Sequence, residues 1–456
     1  MTNNIENAEE NRESEATLPR RSVLQALGAG SLALGSSATQ VSGAAGNTAT
    51  AADVDVQDTS IQIGPNLDLG GRLIVGKGLA YQTIEAAWED AHHGDKIYVH
   101  SSYDAQEAGE QFPIVLDNRE KEVMLTGGHP SGTVIDAGDT DANVIEVIGR
   151  GQADYRNNPI VRNLKITGGN VGLRIRAAPY SMYENLILYE TGSHGIQVDE
   201  YTDENGDYRG TFGVTFQYCV AWSCEGNGFR LETAARPHST TFYGCHSMFN
   251  GRYGSQTLPG VHMRGYATRW HGGTVQGNGG FGVDARSGAT QSVYGAYFEG
   301  NGAKRDYPYA IYMTSTAAGF TVESSYFQGG FFRDAPNGRS QSYRAIAIDG
   351  TPNVSIKNTT YRNYEDAFLL VRGARDVDIH RTTHVPLDET PFLRQNDAVR
   401  IRSDGIVQQA DLRDESGGYQ GDLGVHDGSG SAQWGLAIWN GSNWVSVMDS
   451  QPITSN

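Results

Sequence analysis

Gly172-Leu173-Arg174-Ile175 returns in the same small-apolar-x-apolar form as Gly195-Ile196-Gln197-Val198, Gly228-Phe229-Arg230-Leu231 and Gly260-Val261-His262-Met263. It continues as Gly282-Val283-Asp284-Ala285, Ala310-Ile311-Tyr312-Met313, Ala345-Ile346-Ala347-Ile348 and Ala367-Phe368-Leu369-Leu370. Successive starts lie 23, 33, 32, 22, 28, 35 and 22 residues apart. A second strand-like element recurs between them: Asn163 to Ile166, Asn185 to Leu188, Cys219 to Trp222, Cys245 to Met248, Val354 to Ile356 and Val377 to Ile379. Turns such as Glu225-Gly-Asn-Gly, Gln276-Gly-Asn-Gly and Glu299-Gly-Asn-Gly follow it. One repeat holds too few apolar residues to bury a core alone. Stacked repeats bury the inward members as continuous ladders. A propeller needs longer, four-stranded repeats, and a leucine-rich repeat needs leucines at fixed offsets.

This pattern resembles the right-handed parallel β-helix of the pectate-lyase-like superfamily, over roughly residues 70–390. The resemblance implies an all-β, single-stranded parallel β-helix of about ten coils, and it fixes no activity. Tyr81 to Ala91 reads as an amphipathic helix with Ile84, Ala87, Trp88 and Ala91 on one face. Strands at Gly94–Val99, Glu110–Leu116 and Val123–Gly127 follow it. The order is similar to a start module of secreted β-helix proteins, which caps the open strand edges of the stack.

The ends differ from the body. Residues 1–52 read as a leader: Arg20-Arg21-Ser22-Val23-Leu24 and a short apolar stretch resemble a twin-arginine export signal, with Ala49-Thr50-Ala51 as a cleavage site. Export to the outside of the cell or its surface is the expectation. The β-helix with its cap is expected over 53–394. Residues 395–456 read as a C-terminal β module carrying Trp434, Trp439 and Trp444, similar to small terminal modules of viral fibres. An end cap, a homotrimer contact and a sugar platform are all open for it.

The 456 residues carry 53 Asp plus Glu against 35 Lys plus Arg, a net charge of -18. That excludes nucleic acid as the main partner, since no basic surplus exists to displace counterions. No apolar run is long enough for a stable membrane span. Only six of the cations are Lys, a composition that resembles proteins of extreme halophiles. The three cysteines, Cys219, Cys224 and Cys245, form no disulfide framework. Cys219 and Cys245 fall at matching places in neighbouring repeats and are expected to stack as buried thiols, with a disulfide left open.

Alternate residues of a strand face opposite sides, so the repeat also defines an outer strip. Its pairs are Arg174 and Arg176, Gln197 and Asp199, Arg230 and Glu232, His262 and Arg264, Asp284 and Arg286, Tyr312 and Thr314, and Ala347 and Asp349. At about 4.8 Å per coil the strip runs roughly 25 Å, the length of a short oligosaccharide. Extra residues at 200–210, 233–239, 250–259, 302–308 and 329–343 would wall it as a groove, with Tyr253 among the aromatic residues suited to stacking. The expected function is recognition of an acidic polysaccharide, with cleavage by lyase or glycoside hydrolase chemistry. The main alternative is a non-catalytic glycan-binding spike or surface protein.

The catalytic candidates are Glu232, His262, Asp284, Arg264 and Tyr312; the substrate-binding candidates are Arg174, Arg176, Asp199, Arg230, Arg286 and Tyr253. Glu232 and Asp284 flank His262, which favours its imidazolium form. Two coils apart, they suit an inverting pair. Alternatively Asp199, Glu232 and Asp284 hold a calcium ion that neutralises a uronate, a base among Arg230, Arg264 and His262 takes the C5 proton, and Tyr312 protonates the leaving oxygen. Polygalacturonases resemble this fold and carry Asn-x-Asp, Asp-Asp, Gly-His-Gly and Arg-x-Lys in order. This chain has no Asp-Asp; Ser193-His194-Gly195 is a partial match, with His194 read as a turn residue, and Arg119-Glu120-Lys121 comes too early.

Overall fold

The computed structural model describes residues 71–151, 160–232, 237–252 and 257–302, most of 309–403, and three strands between 423 and 446. All belong to the unit Gln62–Asn456. The leader, with Arg20 and Arg21, lies outside the described residues, as does Tyr253.

The chain is a right-handed parallel β-helix. Each coil gives one strand to an 11-stranded parallel sheet running from Ile114–Asp117 to Leu393–Asn396. The rest of the coil belongs to a 21-stranded sheet. That sheet bends once per coil at a left-handed residue. Asn163, Asn185 and Tyr218 take this role with φ of 57°, 51° and 53°, and Gly244 follows at 59°. Asn and Gly tolerate this conformation. Asn185 Nδ2 also donates to Asn163 Oδ1 of the coil below (2.9 Å), which pins the bend. Gly244 has a second reason to lack a side chain. Its Cβ would stand 2.8 Å from the Tyr218 ring of the preceding coil.

Seven of the eight tetrapeptides lie in the expected register: Leu173, Ile196, Phe229, Val261, Val283, Ile311 and Ile346 pair in succession. The eighth slips by one, because Ile346 pairs with Leu369 rather than Phe368. Two earlier coils, Ile114–Asp117 and Ile145–Ile148, join the same sheet. They escape the pattern because Pro113 and Val144 stand where the later repeats have Gly or Ala.

Inward residues form aromatic and aliphatic stacks. Phe216, Phe242 and Trp270 are fully buried, with ring centroids 4.9 and 5.1 Å apart. Phe298, Phe327 and Tyr361 form a second stack at 4.7 and 4.8 Å. Each such contact adds about 0.5–1.5 kcal/mol beyond area burial. The three cysteines are free and buried, with Cys219 beside Cys245 on neighbouring coils. Asn-Gly turns of three successive coils hold a polar ladder. Asn250, Asn278 and Asn301 are buried, and each accepts a bond from the backbone N–H of the coil before it.

The helix spans Ile84–Asp90, with Thr83 as its N-cap. Ile84 and Ala87 are buried. Its first N–H groups donate to the Glu110 carboxylate, at 2.6 Å from Ile84 and 3.1 Å from Glu85. Lys121 Nζ takes the carbonyls at the other end and lies over the Trp88 ring. The parallel stack continues through Val399–Ser403, beyond residue 394. Leu423–His426, Gly435–Trp439 and Trp444–Ser446 then form a separate antiparallel sheet. Among the described residues no helix is long and apolar enough to cross a membrane.

Candidate active site on the 11-stranded sheet

The backbone register brings the outward residues into two columns. The first runs Glu146, Arg174, Gln197, Arg230, His262, Asp284, Tyr312 and Ala347. The second holds Arg176 and Asp199. Glu232 continues it, its N–H bound to Val198 O (3.0 Å). Arg264, Arg286, Thr314 and Asp349 follow at the same offset from the pairs above. Residues separated by 20 to 35 positions thus become neighbours at strand spacing.

The face is not a freely solvated one. Asp284 is fully buried, and Glu146 and His262 are 7% and 8% exposed. Buried charge demands a partner, and arginines supply it. Arg286 Nε reaches both Asp284 oxygens at 2.8 Å. Arg230 pairs with Glu232 two residues on. Arg174 Nε donates to Asp199 (2.9 Å), and Arg176 Nη2 to Glu146 (2.5 Å). Asn143 completes the Glu146 site at 2.7 Å. Bidentate and charge-assisted bonds of this kind fix guanidinium planes.

That pairing corrects the expectation for His262. Burial pushes its pKa down to about 3, and the nearby Arg264, Arg230 and Arg286 charges push the same way. Imidazolium is disfavoured because Glu232 and Asp284 are turned to their own arginines. His262 is therefore a neutral imidazole, with Nε2 buried and without a hydrogen-bond partner. His194, read from the sequence as a turn residue, joins the site. It is buried, its Nδ1 faces the Asn227 amide at 3.0 Å, and Arg230 lies against Nε2. Burial and then Arg230 lower its pKa to about 3. A neutral imidazole has one acceptor lone pair, so the two donors compete for it.

The carboxylate-pair geometry does not form. Glu232 and Asp284 differ by two coils and by one column, so their backbones are about 11–12 Å apart. Each is also committed to an arginine. The calcium set fares the same way. Asp199, Glu232 and Asp284 are each held by a guanidinium, and among the described residues no group of three His, Cys, Asp or Glu converges to hold a metal. The donor set does not fit calcium.

Tyr312 is also placed differently from a general acid. Its hydroxyl lies 3.4 Å from Asp349, away from His262. Its ring is 4.6 Å from Phe281, and Tyr309 stacks on it at 5.7 Å. Phe281 and Tyr309 are buried, so the three rings form an aromatic cluster beside Asp284 and Arg286 in which Tyr312 is the partly exposed member. Tyr201, from the 200–210 insertion, lies under the Arg119 and Arg176 guanidiniums at 5.6 and 5.5 Å. Glu146, His194, Phe281 and Tyr309 were not picked out as site residues. Glu146 carried a signal, an acid between Ile145 and Val147 in strand alternation, and His194 carried a partial motif that was read as a turn.

No protein-family model and no curated protein matches the chain. Solved structures similar to it include the A-module of mannuronan C-5 epimerase AlgE6 of Azotobacter vinelandii, 13% identical. That alignment covers 70% of this chain and 93% of the other, with a TM-score of 0.38. Another is an alginate lyase from Paenibacillus sp. str. FPU-7, 12% identical over 72% and 99% of the two chains, TM-score 0.41. A third is tailspike protein 2 of Escherichia coli O157:H7 bacteriophage CAB120, 15% identical, TM-score 0.38. There the alignment takes 59% of this chain and 34% of the tailspike.

Proposed function

We propose that this protein binds an acidic polysaccharide along the outer face of the 11-stranded sheet and cleaves it by β-elimination. The observation that carries the reading is His262, a neutral buried imidazole whose unpartnered Nε2 lies within the field of Arg230, Arg264 and Arg286. A uronate carboxylate placed among these guanidiniums acidifies its own C5–H and cancels the charges that weaken the imidazole. In the tautomer with its proton on Nδ1, His262 then takes the C5 proton at Nε2. The C5–H electron pair becomes the C4–C5 double bond, and the C4–O bond breaks. The imidazolium returns that proton to the leaving oxygen on the same face. Arg174 and Arg176, fixed by Glu146 and Asp199, extend the anion-binding track, and the partly exposed Tyr312 ring, backed by the buried Phe281 and Tyr309, stacks a neighbouring sugar ring. Arginine charge does the work that calcium was expected to do. Export through the leader fits a polymer substrate that stays outside the cell.

The deep placement of His262 favours one rival, a glycan binder without turnover. A screen of alginate, polygalacturonate and glycosaminoglycans, read by ultraviolet absorbance of the unsaturated product, separates the two. We expect product from one polymer, unaffected by chelator. His262→Gln should lower kcat at least 10³-fold while binding persists. The acid limb of kcat/KM, which reports the free protein, should lie near the depressed value and well below 6.5; that of kcat should lie higher. Saturable binding with no product from any polymer would leave the binder reading standing alone.

A further inference from the structure

The outer face of the 21-stranded sheet carries a second recess, on its first coils and independent of the strip. Arg72 begins the strand Arg72–Val75 and pairs in register with Lys96 of Lys96–Val99. Tyr98 pairs with Thr126, and Thr126 with Arg162 of the strand Ile160–Thr167. These side chains line a pocket of about 280 Å³ together with Gly127 and Gly128.

Three features of this recess call for a ligand. First, it gathers Arg72, Lys96 and Arg162 in a chain whose net charge is -18. Neither Arg72 nor Lys96 makes a side-chain hydrogen bond or ion pair with a described residue, whereas the strip arginines Arg174, Arg176, Arg230 and Arg286 are all held by carboxylates. Second, Arg162 Nε is buried without a hydrogen-bond partner among the described residues, and its ion pair to Glu184 is stretched to 4.0 Å. A buried donor left unmet is costly, and an arriving acceptor would satisfy it. Third, the Gly127-Gly128 part of the lining has no side chains. A Cβ at Gly128 would stand 2.8 Å from the Tyr98 hydroxyl, and one at Gly127 would meet Asn163 O at 2.3 Å. A side chain at Gly128 would displace the Tyr98 hydroxyl from the pocket wall.

We infer that this recess binds one anionic sugar unit, a uronate or a sulfated hexose. Arg72, Lys96 and Arg162 take the anionic group, and Tyr98 offers its ring and hydroxyl to the sugar. The volume sets the size of the ligand. It is just below the roughly 300–1,000 Å³ of drug-sized sites, and far larger than a bare oxyanion fills. Arginine and lysine together suit either anion, since the fork takes a planar carboxylate and the ammonium acts as a point charge.

The test is calorimetric titration of the full chain with glucuronate, glucose 6-sulfate, glucose and inorganic sulfate. It is run at the lowest salt that keeps the native circular dichroism, since salt screens exposed cations. Expected is saturable binding of at least one sugar anion and none of glucose. Lys96→Gln and Arg162→Gln should each weaken it tenfold or more, Lys96→Arg should retain it, and His262→Gln should leave it unchanged. Three results would overturn the inference: no saturable binding of either sugar anion, affinity that Lys96→Gln and Arg162→Gln leave intact, or inorganic sulfate binding as tightly as the sugar. Binding lost with His262→Gln would also overturn it, by moving the ligand to the strip. Failure here leaves the elimination assay untouched, because that assay reads product formed at the other sheet.

Discussion

Asp284 shows how one side chain decides what its neighbours can be. Its carboxylate is fully buried, and Arg286 answers it with three hydrogen bonds from Nε and Nη2. The cost of stripping a buried ion of its partner exceeds what the pair gains when whole. Arg286→Ala should therefore destabilise the protein by about 3 kcal/mol, at the low end for such pairs because Arg286 is half exposed. Adding Asp284→Asn should restore most of the loss. Urea midpoints of the two single variants and the double variant measure this. Additive losses would mean that the pair does not interact. The same commitment of Asp284 leaves His262 facing arginines alone. That electrostatic state was not legible in the sequence. Order along the column was readable from alternation, and it correctly placed His262 next to Arg230 and Asp284. Which way each carboxylate turns depends on reach within the strand, i to i+2, against reach across coils, and residue identity does not settle that competition.

At the scale of the element, each coil is held to the next by what sits at its bends. The Asn278 side chain donates from Nδ2 to Ser247 O (3.0 Å) and Asn301 Oδ1 (2.8 Å), and its Oδ1 accepts from Asn250 N (3.0 Å). Asn250, Asn278, Asn301 and Ser247 are all buried. Asn278→Ala should cost about 2–4 kcal/mol, as several buried groups lose partners at once. Hydrogen exchange read on the amides of Asn250 and its neighbours should accelerate more than that of distant coils, since repeats interact chiefly with their neighbours. Equal acceleration along the whole stack would show that the ladder is no local clasp. The sequence displayed Gly-Asn-Gly at Asn278 and Asn301 but only Phe-Asn-Gly at Asn250, so the ladder was visible in part. The Asn227 turn had the full motif and serves otherwise, binding Pro259 O with its Nδ2 (2.6 Å). The one-residue slip at Leu369 has the same origin: Phe368, Leu369 and Leu370 are all apolar, so the period of two has no unique phase there.

Across the described residues four histidines set a common direction with pH. His194, His246, His262 and His271 all have pKa values below the ordinary 6.5, with burial as the first cause in each. In the unfolded chain they titrate near 6.5, so between that value and their folded values the unfolded state binds more protons. Stability must then fall as pH drops from 7 towards 5, by up to about 1.4 kcal/mol per pH unit for each fully shifted histidine. Glu299 opposes this, because burial raises its pKa and the folded state takes the proton first. Among the described residues one such group stands against four. Relief of self-repulsion also opposes it, since the net charge of -18 shrinks on acidification. Molar salt, with a screening length of about 3 Å, removes most of that term and leaves the buried histidines, which screening barely reaches. The urea midpoint in molar salt should accordingly decline from pH 7 to pH 5. It should decline less in a His194→Gln, His262→Gln double variant, whose buried side chains no longer titrate. A midpoint that stays level over this range in the unaltered chain would mean that these imidazoles are not held neutral. The base assigned to elimination would then lose its electrostatic setting.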